Sequence, residues 1–364
     1  MSGVAGGIAI KGPLSTNELV GDGQTGRGGP AQRGLFLSLA IVIPLVTVVS
    51  THIWLRTAYS TNVFHLQGFL DQYESGIYRY RILGRELLLA IYHVLLRHGH
   101  DLPLAVAADP QATRYFYASY VLLNGACLFL SNFVLLILLW NYRTGMSDLR
   151  CAFYFFTWLV LALTTYTVTP YDQLAYALML LAFLAVRARP IWIAYAAIGI
   201  VAILGGLTRE TEFLVSPALW TVAIFAKGKT SRRFAAMGYV HIALFGACYV
   251  ALRIVVSGPP AIAQGLSFGG GRVAFPALLV MSVIVYIGLA LFSREFAGCK
   301  PGIVFLGLAS PYVVTVLLSG AFWELRLIVP IVLCQLFVYT QLSNASRVER
   351  GSHRLMPDAK TVPS

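Results

Sequence analysis

Apolar runs of about 17 to 25 residues recur along the whole chain, each long enough as an α-helix to cross about 30 Å of hydrocarbon. In that solvent every backbone N–H and C=O must be bonded within the protein, and a helix does this inside one segment. A content of 58% hydrophobic and 12% charged residues, with mean hydropathy +0.73, excludes a soluble globule of 364 residues. The expected fold class is all-α and integral to a membrane: about ten transmembrane helices, with a long first outer loop that carries an interfacial helix.

Hydropathy places the spans at 35–55, 115–140, 151–169, 172–186, 190–207, 212–226, 236–256, 274–292, 302–319 and 323–341. They make one polytopic domain, 34–342, with the outer loop at 56–114. Residues 1–33 are rich in Gly, Ser and Thr and read as a disordered tail; 343–364 read as a polar, basic and mobile one. The run 34–55 is longer than the apolar core of a signal peptide and lacks a small-residue cleavage site, so it is expected to be retained.

An even number of spans puts both termini on one side, and the basic residues choose which. With cytoplasmic termini, the short segments divide their Lys and Arg 17 to 3 in favour of the cytoplasm. The net charge of +12 is thus topological, and nucleic acid is not the expected partner. The five cysteines are dispersed without a C-x-x-C and read as small apolar side chains.

Within the outer loop, LGRELLLAIYHVLLR (83–97) has apolar residues at helical spacing, with Glu86, His93 and Arg97 on one face. Its length and its ionisable side chains predict a helix lying on the membrane surface, ended by Gly99. Under this topology the unusual polar motifs fall on the non-cytoplasmic face. They are Asp71 with Glu74, Tyr78-Arg79-Tyr80-Arg81, Thr169-Pro170-Tyr171-Asp172, Thr208-Arg209-Glu210-Thr211-Glu212 and Trp323-Glu324-Leu325-Arg326.

Arginine at mid-bilayer depth costs about 2.5–3.5 kcal/mol on insertion scales, so pairs of opposite charge beside apolar helices point to a polar cavity at the membrane boundary. Singly, each motif also reads as an interfacial ion pair, a helix start or a belt aromatic; together on one face they suggest a site. Asp71 or Glu74 is suited to take a proton from an acceptor hydroxyl. The guanidiniums of Arg79, Arg81, Arg209 and Arg326, with Asp172, Glu210 and Glu324 among them, are suited to hold a phosphate and stabilise it as a leaving group. Arg253, inside its span, reads either as a snorkelling side chain or as a further phosphate contact.

A first span, a long outer loop with an acidic residue and a surface helix, and then many short-looped spans resemble the GT-C superfamily of polyprenyl-phosphate-sugar-dependent glycosyltransferases. The series YRYR, TPYD, RET and ELR also looks like that of bacterial membrane proteins grouped near these enzymes. The resemblance implies transfer of a sugar from a lipid-phosphate donor at the non-cytoplasmic face of a bacterial inner membrane, with Asp71 as the catalytic acid residue of the loop and Glu74 as second choice.

No Asp-x-Asp is present, and no cofactor is assigned. A divalent metal stays open as an alternative, with His93, His98, His100 and Asp101 as its residues. Other readings of the same face are a transporter or flippase of lipid-linked sugars or small solutes, a polysaccharide polymerase or ligase, and a non-catalytic subunit. The sugar, the acceptor and the oligomeric state are left open.

Overall fold

A computed structural model describes residues 30–54, 64–74, 76–99, 113–140, 146–165, 168–256, 299–318 and 325–354. The expected span 274–292, Glu324, His100, Asp101, residues 1–29 and residues 355–364 lie outside the described residues. Within them the chain is helical and contains no strand. The elements are α1 (Pro30–Val49, continued by a π-helical turn Ser50–Trp54), α2 (Leu66–Glu74), a 3₁₀ turn Gly76–Tyr80, α3 (Ile82–His98), α4 (Arg114–Leu139), α5 (Asp148–Thr164) and α6 (Asp172–Ala185). There follow α7 (Ile191–Gly206), a 3₁₀ turn Glu210–Leu214, α8 (Val215–Phe225), α9 (Gly228–Val255), α10 (Cys299–Leu308), α11 (Ser310–Leu318) and α12 (Leu325–Arg354). Four stretches, Ala31–His52, Arg114–Leu139, Gly228–Val255 and Arg326–Ser343, are long and apolar enough to cross a membrane, which is compatible with an integral membrane protein. The helices α6 and α7 are apolar but shorter.

Three of the spans that differ from expectation do so for a local reason, while α9 begins at Gly228, eight residues ahead of its expected start. The run 302–319 is two helices, because Pro311 cannot donate to the ladder and Ala309, at the break, accepts instead from the N–H groups of Tyr312 and Val313 (3.0 and 3.1 Å). The last helix does not stop where hydropathy falls near 342 but continues to Arg354, since polarity alone does not end a helix. The short run 212–226 begins as a 3₁₀ turn, leaving only 11 residues of α-helix in α8.

Prolines inside helices leave carbonyls that the fold then uses. Pro44 deprives the Ala40 carbonyl of its donor, and the buried Asn132 amide on α4 donates to Leu39 and Ala40 carbonyls at 2.9 and 3.3 Å. Tyr154 on α5 donates back to Asn132 (2.7 Å), so one polar side chain ties α1, α4 and α5. Around it the core is apolar, with Phe183 of α6 stacked on Phe337 of α12 at 4.2 Å.

Short connections reverse the chain, and the two ends of the bundle differ chemically. At one end Arg150 donates to the Leu139 carbonyl (3.2 Å), Arg187 to those of Ile137 and Leu138 (3.3 and 3.0 Å), and Arg233 to that of Val186 (2.6 Å). These basic residues, counted above for orientation, therefore also satisfy helix C-terminal carbonyls and their partial negative charge.

At the other end α3 docks against the rest. Its helix ends at Gly99 (φ 60°), whose N–H donates to the Leu95 carbonyl. Its first turn donates from Leu83 N–H to the Leu207 carbonyl beyond α7 (3.0 Å). Gly84 lies so close to the 169–171 segment that a Cβ there would stand 2.7 Å from the Pro170 carbonyl oxygen. This contact brings the YRYR segment to the TPYD and RET segments. Gly84→Ala is expected to destabilise the protein by about 1–3 kcal/mol through overpacking, read as a lowered Tm in detergent. An unchanged Tm would mean that the 169–171 segment yields freely.

Candidate functional site

The docked end gathers four guanidiniums around two carboxylates. Asp172 opens α6, its N–H donating to the Thr169 hydroxyl (3.3 Å), and its carboxylate meets Arg209 through Oδ1 and Arg326 through Oδ2 (3.8 Å). Glu210 meets Arg81 through Oε2 (3.3 Å) and Arg253 through Oε1 (3.7 Å). Each carboxylate thus bridges two arginines drawn from different parts of the chain. Even with Glu212 counted as ionised, positive charge exceeds negative among the described residues of this cluster.

The local backbone explains how these side chains arrive. Arg209 is extended (φ −161°, ψ 145°) between α7 and the 3₁₀ turn, so it and Glu210 leave the chain in opposite directions, one toward Asp172 and the other toward Arg81. Arg326 lies in the first turn of α12, the positive end of the helix dipole, where a cation is disfavoured by about 0.3–1 kcal/mol unless countered. Asp172 supplies the counter-charge. Pro330, which has no N–H, leaves the Arg326 carbonyl to accept from Tyr176 (2.8 Å) and Arg209 (3.5 Å).

Tyrosines wall the cluster. The Arg81 guanidinium lies over the rings of Tyr171 (4.2 Å) and Tyr78 (5.3 Å). That of Arg253 lies over Tyr80 (3.7 Å) and Tyr249 (4.9 Å), and donates to the Tyr249 hydroxyl at 2.8 Å. Burial works against charge on Arg81, but Glu210, with Tyr171, Asp172 and Tyr78, outweighs it and raises its pKa above the ordinary value. Arg209 is raised likewise, Asp172 overcoming the cost of burial. For Glu210 burial pushes upward, yet Arg81, its own N–H, Arg209 and Arg253 hold its carboxyl below the usual carboxylate range.

Among the residues singled out from sequence, the structure brings Arg81, Asp172, Arg209, Glu210 and Arg326 together. Asp71 and Glu74 lie on the exposed face of α2; Asp71 accepts from Gln67 (2.7 Å) and the Glu74 carbonyl from Arg79. Their link to the cluster runs through buried Tyr73, whose ring is 6.3 Å from Tyr78, itself 6.0 Å from Tyr171. His93 and His98 are exposed on α3.

Sequence reasoning underrated Arg253 and missed the tyrosine walls, although Tyr78, Tyr80 and Tyr171 stand inside the very motifs it named. It named Glu212 within a motif but gave it no role; this side chain is fully buried, with neither carboxyl oxygen accepting a hydrogen bond among the described residues, against Gly205, where a Cβ would lie 2.9 Å from it. No protein-family model, no curated protein and no solved structure matches this chain.

Asp172→Asn is expected to destabilise by about 3–5 kcal/mol, because it removes the counter-charge of Arg209, which is only 3% exposed, and an ion-pair partner of Arg326. Glu210→Gln, at a side chain 34% exposed, should cost within about 1 kcal/mol. Chemical unfolding of both variants in detergent checks the order, and equal losses would contradict it.

Proposed function

We propose that the protein is a membrane glycosyltransferase of GT-C type, moving a sugar from a lipid-phosphate donor to an acceptor at the non-cytoplasmic face. In this reading ten spans cross a bacterial inner membrane with both termini cytoplasmic. The observation that carries it is the convergence of four guanidiniums, in surplus over carboxylates among the described residues, in one tyrosine-walled cluster at the end of apolar helices. Such a cluster suits an anion that enters from the bilayer, as the phosphate of a lipid-linked donor does.

The reaction needs few parts. The acceptor oxygen attacks the anomeric carbon while the bond from that carbon to the phosphate oxygen breaks. Its electron pair stays on the lipid phosphate, held by arginine. The acceptor proton passes to a carboxylate, Asp71 first and Glu74 next, both exposed and so open to a substrate arriving from water. A phosphate leaving group requires no second, protonated carboxyl, unlike glycoside hydrolysis.

A transporter of lipid-linked sugars or small solutes is the second reading, favoured by Glu212. A fully buried acidic side chain without a hydrogen-bond partner among the described residues, at the break between α7 and α8, is the kind of residue that marks an ion or proton path.

Purified protein with Arg209→Ala or Arg326→Ala is expected to lose transfer from a polyprenyl-phosphate sugar by about 10²–10³-fold. Asp71→Asn is expected to lose about 10²–10⁴-fold while still binding the donor. Full transfer in both Asp71→Asn and Glu74→Gln removes α2 from the chemistry. Solute counterflow in proteoliposomes without any transfer selects the transport reading.

A further inference from the structure

Glu210 and Asp172 bridge two arginines each, but they are held very differently. Asp172 is 2% exposed, starts a helix and touches Arg209 closely, so it cannot leave without unmaking the fold. Glu210 sits on a five-residue 3₁₀ turn with a third of its side chain open, and its contacts, 3.3 and 3.7 Å, exceed the about 2.7–2.9 Å of a tight charge-assisted hydrogen bond.

The two guanidiniums facing Glu210 are fixed without it. Arg81 is held between Tyr171 and Tyr78, and Arg253 between Tyr80 and Tyr249, with its own bond to the Tyr249 hydroxyl. Each also keeps a buried Nε that has no hydrogen-bond partner among the described residues. Two cations aimed at the two oxygens of one loosely held carboxylate, with donors to spare, form a clamp for a tetrahedral oxyanion.

We propose that Glu210 is an internal anion occupying this Arg81–Arg253 clamp, and that a phosphate group takes its place while the Glu210 carboxylate swings to solvent. The inference rests on the phosphate reading above and gives that site a gate. The bound ligand contributes the negative charge that Glu210 contributes in its absence. The exchange makes and breaks no covalent bond; one carboxylate–guanidinium pair gives way to a phosphate–guanidinium pair. Affinity for phosphate is therefore set by competition with the protein's own side chain, and selects ligands carrying more charge than one carboxylate.

The test measures binding of two probes, inorganic phosphate and a short-chain polyprenyl monophosphate, to the full chain in nanodiscs by titration calorimetry. Glu210→Gln is expected to bind at least about tenfold more tightly than the native protein, and adding Arg253→Gln should abolish the gain. Glu210→Asp, which keeps the charge on a shorter arm, should gain less, and it serves should the Gln variant fail to fold. Gains with both probes identify the phosphate group itself as the ligand; a gain with the lipid probe alone identifies a headgroup approached from the bilayer. Equal or weaker binding by both Glu210 variants, with native binding still weakened by Arg81→Gln, overturns the exchange of Glu210 for phosphate while leaving the phosphate reading intact. Arginine-independent binding, or none, of either probe by every form overturns both.

Discussion

A guanidinium cannot lie among apolar helices unless its counter-charge is delivered to the same place, and this requirement organises one whole end of the protein. Arg81 comes from the segment before α3, Arg209 from the link after α7, Arg253 from the last turn of α9 and Arg326 from the first turn of α12. The two carboxylates that meet them, Asp172 and Glu210, start α6 and the 3₁₀ turn ahead of α8. Ion pairs at separations of 37 to 154 positions along the chain would be weak glue at a wet surface; partly desolvated, they fix which helix ends lie together.

Backbone carbonyls obey the same rule as the charges. Pro44 and Pro330 each leave one without its ladder donor, and in both cases a side chain from another helix supplies it, Asn132 for the Ala40 carbonyl and Tyr176 with Arg209 for that of Arg326. Proline thus serves here as a means of joining helices rather than of breaking them. In α12 the joint and the charged cluster coincide, because the freed carbonyl belongs to a residue whose guanidinium already faces Asp172.

The helical class and the positions of α4 to α7 were readable because apolar runs bounded by Pro, Gly and charge leave little choice of period or length. The division of 302–319 and the extension of the last helix were not, since hydropathy measures burial and says nothing of where a ladder is interrupted. In the site, four motifs quoted for their charge do meet, whereas Asp71 and Glu74 stand on another face of α2. Charge pattern marks which residues need company but carries no distances; the docking that decides them rests on Gly84, an uncharged residue whose role shows only once α3 and Pro170 are seen touching. Arg253 was obscured for the opposite reason. A lone arginine near a span end has a common explanation in snorkelling, and only the rings of Tyr80 and Tyr249 on either side of it mark a fixed position.

Arg209 and Glu210 are neighbours in sequence, yet they serve the two halves of the cluster, and the reason is the extended backbone at Arg209. An extended residue and its successor must point opposite ways, so placing Arg209 inward on Asp172 obliges Glu210 to face outward, toward Arg81, Arg253 and water. The inner pair is then closed off by the fold, while the outer one is open at its edge. A continuous helix through 207–215 would have turned the two side chains only about 100° apart rather than to opposite sides. The break between α7 and α8 is therefore what sends Arg209 to the enclosed Asp172 and Glu210 to the open edge of the cluster.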